Sequence, residues 1–211
     1  MVSLLLCRPT GRNHATRPPY DGISLAYHSS KRRVFSDSDL SNSAYFFLFQ
    51  KMDFFIKKCI IYFILIYWRF FMRLLVVSDS HGYDEELEFV LKNITYDVAI
   101  HCGDCHFDKK SSFLKLFDVI VQGNHDEDFL PLEMTFKTPL GEIFICHGHT
   151  FHVYKGYDEL SRYINKKNIT ICFHGHTHVP HIEKFENILF VNPGSIMFNR
   201  GLTECGSYAI V

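Results

Sequence analysis

Residues 72–211 alternate short apolar runs with polar clusters that contain glycine. Arg73 to Val77 is aliphatic and predicts a buried strand, and it stops at Ser78-Asp79-Ser80-His81-Gly82. Asp84 to Asn93 follows with Leu87, Val90 and Leu91 at helical spacing and acids in its first turn, which predicts a helix. Asp97 to Cys102 predicts a second strand ending at Gly103-Asp104, and Ser111 to Phe117 a short helix. Val119 to Val121 predicts a third strand ending at Gly123-Asn124-His125-Asp126, and Ile143 to Cys146 a fourth ending at His147-Gly148-His149. Tyr157 to Lys167 reads as a helix with Leu160, Tyr163 and Ile164 on one face. Ile169 to Phe173 predicts a fifth strand ending at His174-Gly175-His176-Thr177-His178, and late strands are expected at His181–Phe185, Ile188–Val191 and Tyr208–Val211. Alternating strands and helices define an α/β layered domain.

The position of the polar clusters is as informative as the runs. Five successive strands stop at Asp, Asn or His beside glycine, and ligand crevices in open α/β sheets form at the carboxyl ends of strands. Asp79, His81, Asp104, Asn124, His147, His176 and His178 together offer imidazole nitrogens, carboxylates and an amide oxygen. That is more than one tetrahedral ion needs. The mixed nitrogen and oxygen set suits two divalent ions of the Mn, Fe, Zn, Ni type, with Mg a further possibility. A carboxylate can bridge two cations because it carries two oxygens and a charge that offsets their repulsion. Two such ions can lower the pKa of a shared water from 15.7 to about 7, which makes it a nucleophile near neutral pH.

Composition divides the chain. Residues 1–71 hold 10 Lys/Arg against 4 Asp/Glu, giving +6; residues 72–211 hold 12 against 19, giving −7. An acidic second part argues against nonspecific nucleic-acid binding, which needs clustered positive charge. The cysteines number seven, and Cys102, Cys146 and Cys172 lie in apolar runs, so reduced thiols and a cytoplasmic setting are expected.

Residues 1–43 carry Arg17-Pro18-Pro19 and Lys31-Arg32-Arg33 and read as irregular; residues 44–71 become aromatic and aliphatic. The longest uncharged run there, Cys59 to Trp68, falls short of the roughly 20 residues that span a bilayer. The first reading is that 1–71 lies outside the working protein, which then starts at Met72. A membrane-associating anchor at 44–71 and a targeting segment are the alternatives.

The ordered series Asp79-Ser80-His81, Gly103-Asp104, Gly123-Asn124-His125-Asp126, His147-Gly148-His149 and Gly175-His176-Thr177-His178 resembles the calcineurin-like metallophosphoesterases. Within them it is most similar to the small bacterial and archaeal YfcE-like phosphodiesterases, which Asn192-Pro193-Gly194-Ser195 also matches. The resemblance covers 72–211 and none of 1–71. It implies a four-layer α-β-β-α sandwich of two mixed sheets. It implies one metal on Asp79, His81 and His178, a second on Asn124, His147 and His176, and Asp104 bridging both. His125 is implied near the substrate phosphate, as a group that protonates the leaving oxygen or stabilises the transition state. Asp126 either orients His125 or caps a turn. His149 and His174 adjoin the ligands and are expected to orient them, with Asn192 near the same place. His152 and His181 read as surface or packing residues and His101 as a core residue. The implied reaction is hydrolysis of a small phosphate ester, a diester before a monoester, with Mn the favoured ion; oligomeric state stays open.

Two competing readings remain. Cys102-Gly103-Asp104-Cys105-His106 fits the C-x-x-C-H haem-attachment pattern, which leaves the other clusters unexplained. The second is a noncatalytic interaction scaffold like the retromer-coat relatives; those have degraded ligand positions, whereas here every motif position is intact.

Overall fold

The computed structural model describes residues 3–6, 56–59, 62, 72–139, 141–200 and 205–211. Two mixed sheets form the framework. The first contains β1 (Ser3–Leu6), β2 (Leu74–Val77), β3 (Val98–His101), β4 (Val119–Ile120) and β10 (Ser207–Ile210) in the order β1-β10-β2-β3-β4. The second contains β5 (Glu133–Thr138), β6 (Gly141–Cys146), β7 (Ile171–Phe173), β8 (His181–Phe185) and β9 (Ile188–Asn192) in the order β5-β6-β7-β9-β8. β2, β3 and β4 are parallel, as are β6, β7 and β9, while the outer pairings are antiparallel.

Strand alternation builds the layers. Leu74 and Val76 of β2 meet Ile143 and Ile145 of β6, Phe173 and Val191 in a core between the sheets. Leu75 and Val77 point the other way and pack with Leu87 and Val90 of helix α1 (Asp84–Asn93). Phe144, Cys146, Cys172 and Phe190 turn outward onto Leu160 and Ile164 of helix α2 (Asp158–Asn165). Helix, sheet, sheet and helix therefore stack as four layers, as the resemblance implies. Strands buried on both faces need continuous apolar runs, which is why β2, β3, β6 and β7 are visible in the sequence.

Three segments differ from expectation. The predicted short helix at Ser111 to Phe117 is a 3₁₀ turn, Ser112–Lys115, capped by the Ser111 side chain. β5 was not expected; its Met134 and Phe136 pack on the inter-sheet core while Thr135 and Lys137 are exposed, an edge-strand alternation. Ser3–Leu6, read within an irregular extension, pairs antiparallel with β10 and extends the first sheet. The strand pairs its backbone with an edge of β10 that would otherwise be open. Most of 7–71, including most of the aromatic run 44–71, lies outside the described residues. Among the described residues no helix is long and apolar enough to cross a membrane.

Every candidate ligand lies at 79–178, and β1 touches the sheet only through β10 at the edge opposite β4. A chain beginning at Met72 is therefore expected to keep the metal content and activity of the full chain while associating more readily through the bared β10 edge. Metal analysis and light scattering of the two chains check this.

Candidate metal centre

The carboxyl ends of β2, β3, β4, β6, β7 and β9 face one rim, and backbone bonds lace their loops together. Asp79 N–H donates to Gly103 O (3.0 Å), and Gly175 N–H donates to His147 O (3.1 Å). Asp79 follows β2 and Asp104 follows β3; both are buried. One oxygen of each is tied down: Asp79 Oδ2 accepts the His176 N–H (3.1 Å) and Asp104 Oδ1 accepts the His125 N–H (2.8 Å). The other oxygens, Asp79 Oδ1 and Asp104 Oδ2, aim at imidazole nitrogens. His178 Nε2 is 3.1 Å and His147 Nε2 3.9 Å from Asp79 Oδ1; His147 Nε2 is 3.4 Å and His81 Nε2 3.9 Å from Asp104 Oδ2. Two groups of donor atoms result, Asp79-His81-His178 and Asp79-Asp104-His147, each with its atoms within 4.8 Å of one another.

Tautomers are set from behind. His147 Nδ1 donates to Cys102 O (2.8 Å) and His178 Nδ1 to Phe198 O (2.8 Å). A neutral ring that donates from Nδ1 presents a lone pair at Nε2, the usual arrangement for a metal-bound histidine. Asp79 Oδ1 and His147 Nε2 are buried without a hydrogen-bond partner, a costly state that a cation between them relieves. Buried unpaired lone pairs on two elements, converging with a second carboxylate, fit a divalent ion.

The local field agrees. Burial pushes the Asp79 carboxyl up, but His178 and His147 more than offset this and hold it below the usual range. Asp104 behaves likewise, with His147 and the His125 N–H holding it well below that range. Burial pushes His147 and His178 down, and the neighbouring carboxylates more than reverse it, so both are raised. His176 is taken down to about 4, first by burial and then by the charge of His147, which Asp79 and Asp104 offset only in part.

Backbone conformation marks the same residues. Asp79, His81, Asp104, His176 and His178 all have positive φ, from 47° to 70°. Each costs about 1–2 kcal/mol in a residue with a Cβ, and such strain concentrates at functional sites.

The structure brings Asp79, His81 and His178 within ligand reach of one another, and likewise Asp79, Asp104 and His147. His176 sits beside them, its ring centroid 5.1 Å from that of His147. Asn124 is exposed, between Gly123 and His125 on the loop that packs on Asp104. His125 is exposed, its ring 5.7 Å from that of His81, and it borders an open cleft of 570 Å³ together with His81, His106, His178, Phe198, Asn199 and Arg200. His149 stands 5.4 Å from the His147 ring. Asn192 braces the loop that carries His176 and His178: its amide nitrogen donates to Gly175 O (3.0 Å) and Thr177 Oγ1 (2.9 Å), and its oxygen accepts the Gly194 N–H (2.8 Å). His174 is buried at 0% exposure, against Tyr157 Oη (2.9 Å) and the Asn192 amide, and burial takes it down to about 3.

For Asp126 the structure selects the capping alternative. Its Oδ1 accepts the Cys105 and His106 N–H groups and its Oδ2 the Gly123 N–H, all at 2.8 Å. Both oxygens are engaged by backbone, so Asp126 welds the loops after β3 and β4 together, and among the described residues no hydrogen bond joins it to the His125 ring. Asp126→Ala strands three donors and is expected to lower stability by about 2–4 kcal/mol, read from urea melts. Cys102 and Cys105 face opposite cores, the inter-sheet layer and the α1 layer, so they do not address one haem. His101 is a buried core residue, 3.0 Å from Ser80 Oγ, taken down to about 4 by burial.

Sequence reasoning missed His106, Phe198 and Arg200 at the cleft, and Ser195, whose hydroxyl donates to Asp79 O (2.7 Å) and accepts the Phe198 N–H (2.8 Å). Ser195 carried a signal in the Asn192–Ser195 motif; Phe198 and Arg200 carried none.

A two-sheet α/β fold with carboxylates and imidazoles gathered at one rim defines the metal-dependent phosphoesterase class. Residues 72–211 match the calcineurin-like phosphoesterase superfamily domain, and the chain belongs to that family. It is 34% identical over 151 residues to the probable metallophosphoesterase YsnB of Bacillus subtilis, covering 66% of this chain and 83% of that one. A crystal structure of a conserved uncharacterized protein from Streptococcus pneumoniae, a predicted phosphoesterase, superposes with a TM-score of 0.61 at 31% identity, covering 66% of this chain and 82% of that one. Vps29 of Chaetomium thermophilum, at 21% identity and a TM-score of 0.56 over 66% of this chain and 81% of that one, shares the fold.

Proposed function

We propose that residues 72–211 hydrolyse a small phosphodiester with two divalent ions, Mn being favoured. The observation that carries the reading is the convergence of Asp79 Oδ1, Asp104 Oδ2 and the Nε2 atoms of His81, His147 and His178, two of these atoms buried without a hydrogen-bond partner. Asp79, His81 and His178 would hold one ion, and Asn124, His147 and His176 the other. Asp104, whose free oxygen lies within 3.9 Å of His81 Nε2 and 3.4 Å of His147 Nε2, would serve both. When bound, the ions supply Lewis acidity that neutralises phosphoryl charge and makes water nucleophilic near neutral pH.

The chain's own residues do the rest. Cys102 O and Phe198 O keep His147 and His178 in the ligating tautomer. Asp104 Oδ1 fixes the backbone of His125, so that its exposed ring stands at the cleft as a proton donor to the leaving oxygen. The lone pairs buried unpaired at Asp79 and His147 argue for a bound cation; a metal-holding scaffold on the same fold would bury them too, and turnover separates the two readings.

Release of p-nitrophenol from bis(p-nitrophenyl) phosphate with added Mn tests the reading; no turnover with any of Mn, Ni, Fe, Zn or Mg would sink it. His125→Ala is expected to leave metal content unchanged and lower kcat by about 10²–10⁴-fold; lost metal would make His125 a ligand instead.

Proton competition gives a further expected outcome. His147 and His178 keep their protons to higher pH than an ordinary imidazole. In the metal-free protein this pairing stabilises the fold fully below about pH 6.5 and fades as pH rises through the raised values. Metal needs the deprotonated rings. The rise in Tm on adding excess Mn should therefore grow between about pH 5.5 and about pH 8; a pH-independent rise would place the ion away from these two histidines.

A further inference from the structure

The cleft beside the metal ligands carries a recognition edge that the ligand motifs do not supply. Phe198 is 46% exposed, large and apolar, yet firmly placed. Its N–H donates to Ser195 Oγ (2.8 Å), and that hydroxyl donates to Asp79 O (2.7 Å). Its carbonyl accepts His178 Nδ1 (2.8 Å). The Phe198 backbone is thus referenced to two ligand residues at once. Its ring meets Tyr83 edge to face (5.0 Å, 81°) and His81 in the same manner (6.0 Å, 68°). An aromatic surface fixed in advance loses little entropy when a flat partner settles on it.

Arg200 lies two residues on. Its N–H donates to His178 O (2.8 Å), which ties its backbone to a ligand residue. Among the described residues its guanidinium has no hydrogen bond or ion pair, and it is the one Lys or Arg among the residues lining the cleft. A domain with a net charge of −7 that keeps one unpaired guanidinium beside a metal centre has a place for a single anionic group. Arginine offers a planar fork that fits phosphoryl oxygens.

We infer that the substrate is a phosphate ester bearing a planar aromatic group, with Phe198 stacking that group and Arg200 holding a phosphoryl oxygen. The inference rests on the phosphoesterase reading and names its substrate class. A single cation beside an aromatic face suits a singly charged aryl or nucleoside diester better than a polyphosphate or an aliphatic ester.

Calorimetric binding of two non-hydrolysable probes, phenylphosphonate and methylphosphonate, to the Mn-loaded full chain tests it without turnover. The wild type should bind phenylphosphonate about tenfold more tightly, the usual scale for one stacked ring. Phe198→Ala should erase that preference, and Phe198→Trp should retain it. Arg200→Met should weaken both probes by about tenfold and preserve their ratio, with Arg200→Lys restoring part of the loss. Equal affinities in the wild type, or a preference that survives Phe198→Ala, overturns the inference. Bis(p-nitrophenyl) phosphate hydrolysis measured in parallel separates the two failures. Turnover without an aromatic preference rejects this inference alone, whereas absent turnover rejects the hydrolase reading.

Discussion

Asp79→Asn is expected to empty the centre of metal and lower activity by about 100-fold or more, while the fold persists. Asp79 Oδ1 is the donor common to both ligand groups, and the residue is fully buried. An amide NH₂ in that place removes a negative charge and turns two hydrogens toward the space a cation needs. The rest of the residue's work survives. Asn keeps one oxygen to accept the His176 N–H, now made at 3.1 Å, and its amide can donate to His178 Nε2, 3.1 Å from the replaced atom. The backbone bonds to Gly103 O and from Ser195 Oγ are untouched. Removing a positioning partner of a metal ligand typically costs 10–100-fold, so loss of a buried ligand itself should exceed that range. Metal content by elemental analysis, with the melting temperature measured in chelator, is the check. Stoichiometric metal in the variant would show that the ions sit elsewhere.

Legibility followed burial and chain geometry. β2, β3, the second half of β6 and β7 are covered on both faces, so their sequences are unbroken apolar runs, and each ends where backbone must turn toward the rim. The ligands fall at those ends, which is why Asp79, Asp104, His147 and His178 stand out in the sequence alone. β5 escaped because an edge strand with one covered face alternates Met134 and Phe136 with Thr135 and Lys137, a weaker signal than a run. β1 escaped because four residues cannot establish a period, and their partner, β10, is about two hundred residues away in sequence. Phe198 and Arg200 escaped for a different reason. Their place depends on hydrogen bonds to Ser195 and His178, which are tertiary and leave no periodic trace. Asp126 was readable as a polar loop residue, but its three backbone acceptor contacts depend on how the β3 and β4 loops meet in space.

Gly175→Ala should be nearly as damaging as loss of a ligand, though position 175 contributes no donor atom. A Cβ there would stand 1.9 Å from Ser78 Oγ, 2.5 Å from Asp79 Oδ2 and 2.9 Å from Ser78 Cβ. None of these can retreat easily, since Ser78 and Asp79 are buried and Asp79 Oδ2 is bonded to the His176 N–H. The loop must move instead, and it carries His176 and His178. Overpacking of this kind costs about 1–3 kcal/mol, and a displacement of even a fraction of an ångström spreads the Asp79 and His178 donors that now lie 3.1 Å apart. The expected result is a lower Tm together with metal affinity reduced by at least about tenfold. Adding Ser78→Ala separates the two effects. It removes the hydroxyl that makes the closest contact, so part of the stability should return as a non-additive term. The contact with Asp79 Oδ2 remains, so metal affinity should stay low. If Ser78→Ala restored both together, the metal loss would be a consequence of general loosening, and the loop geometry around Gly175 would not be what positions His178.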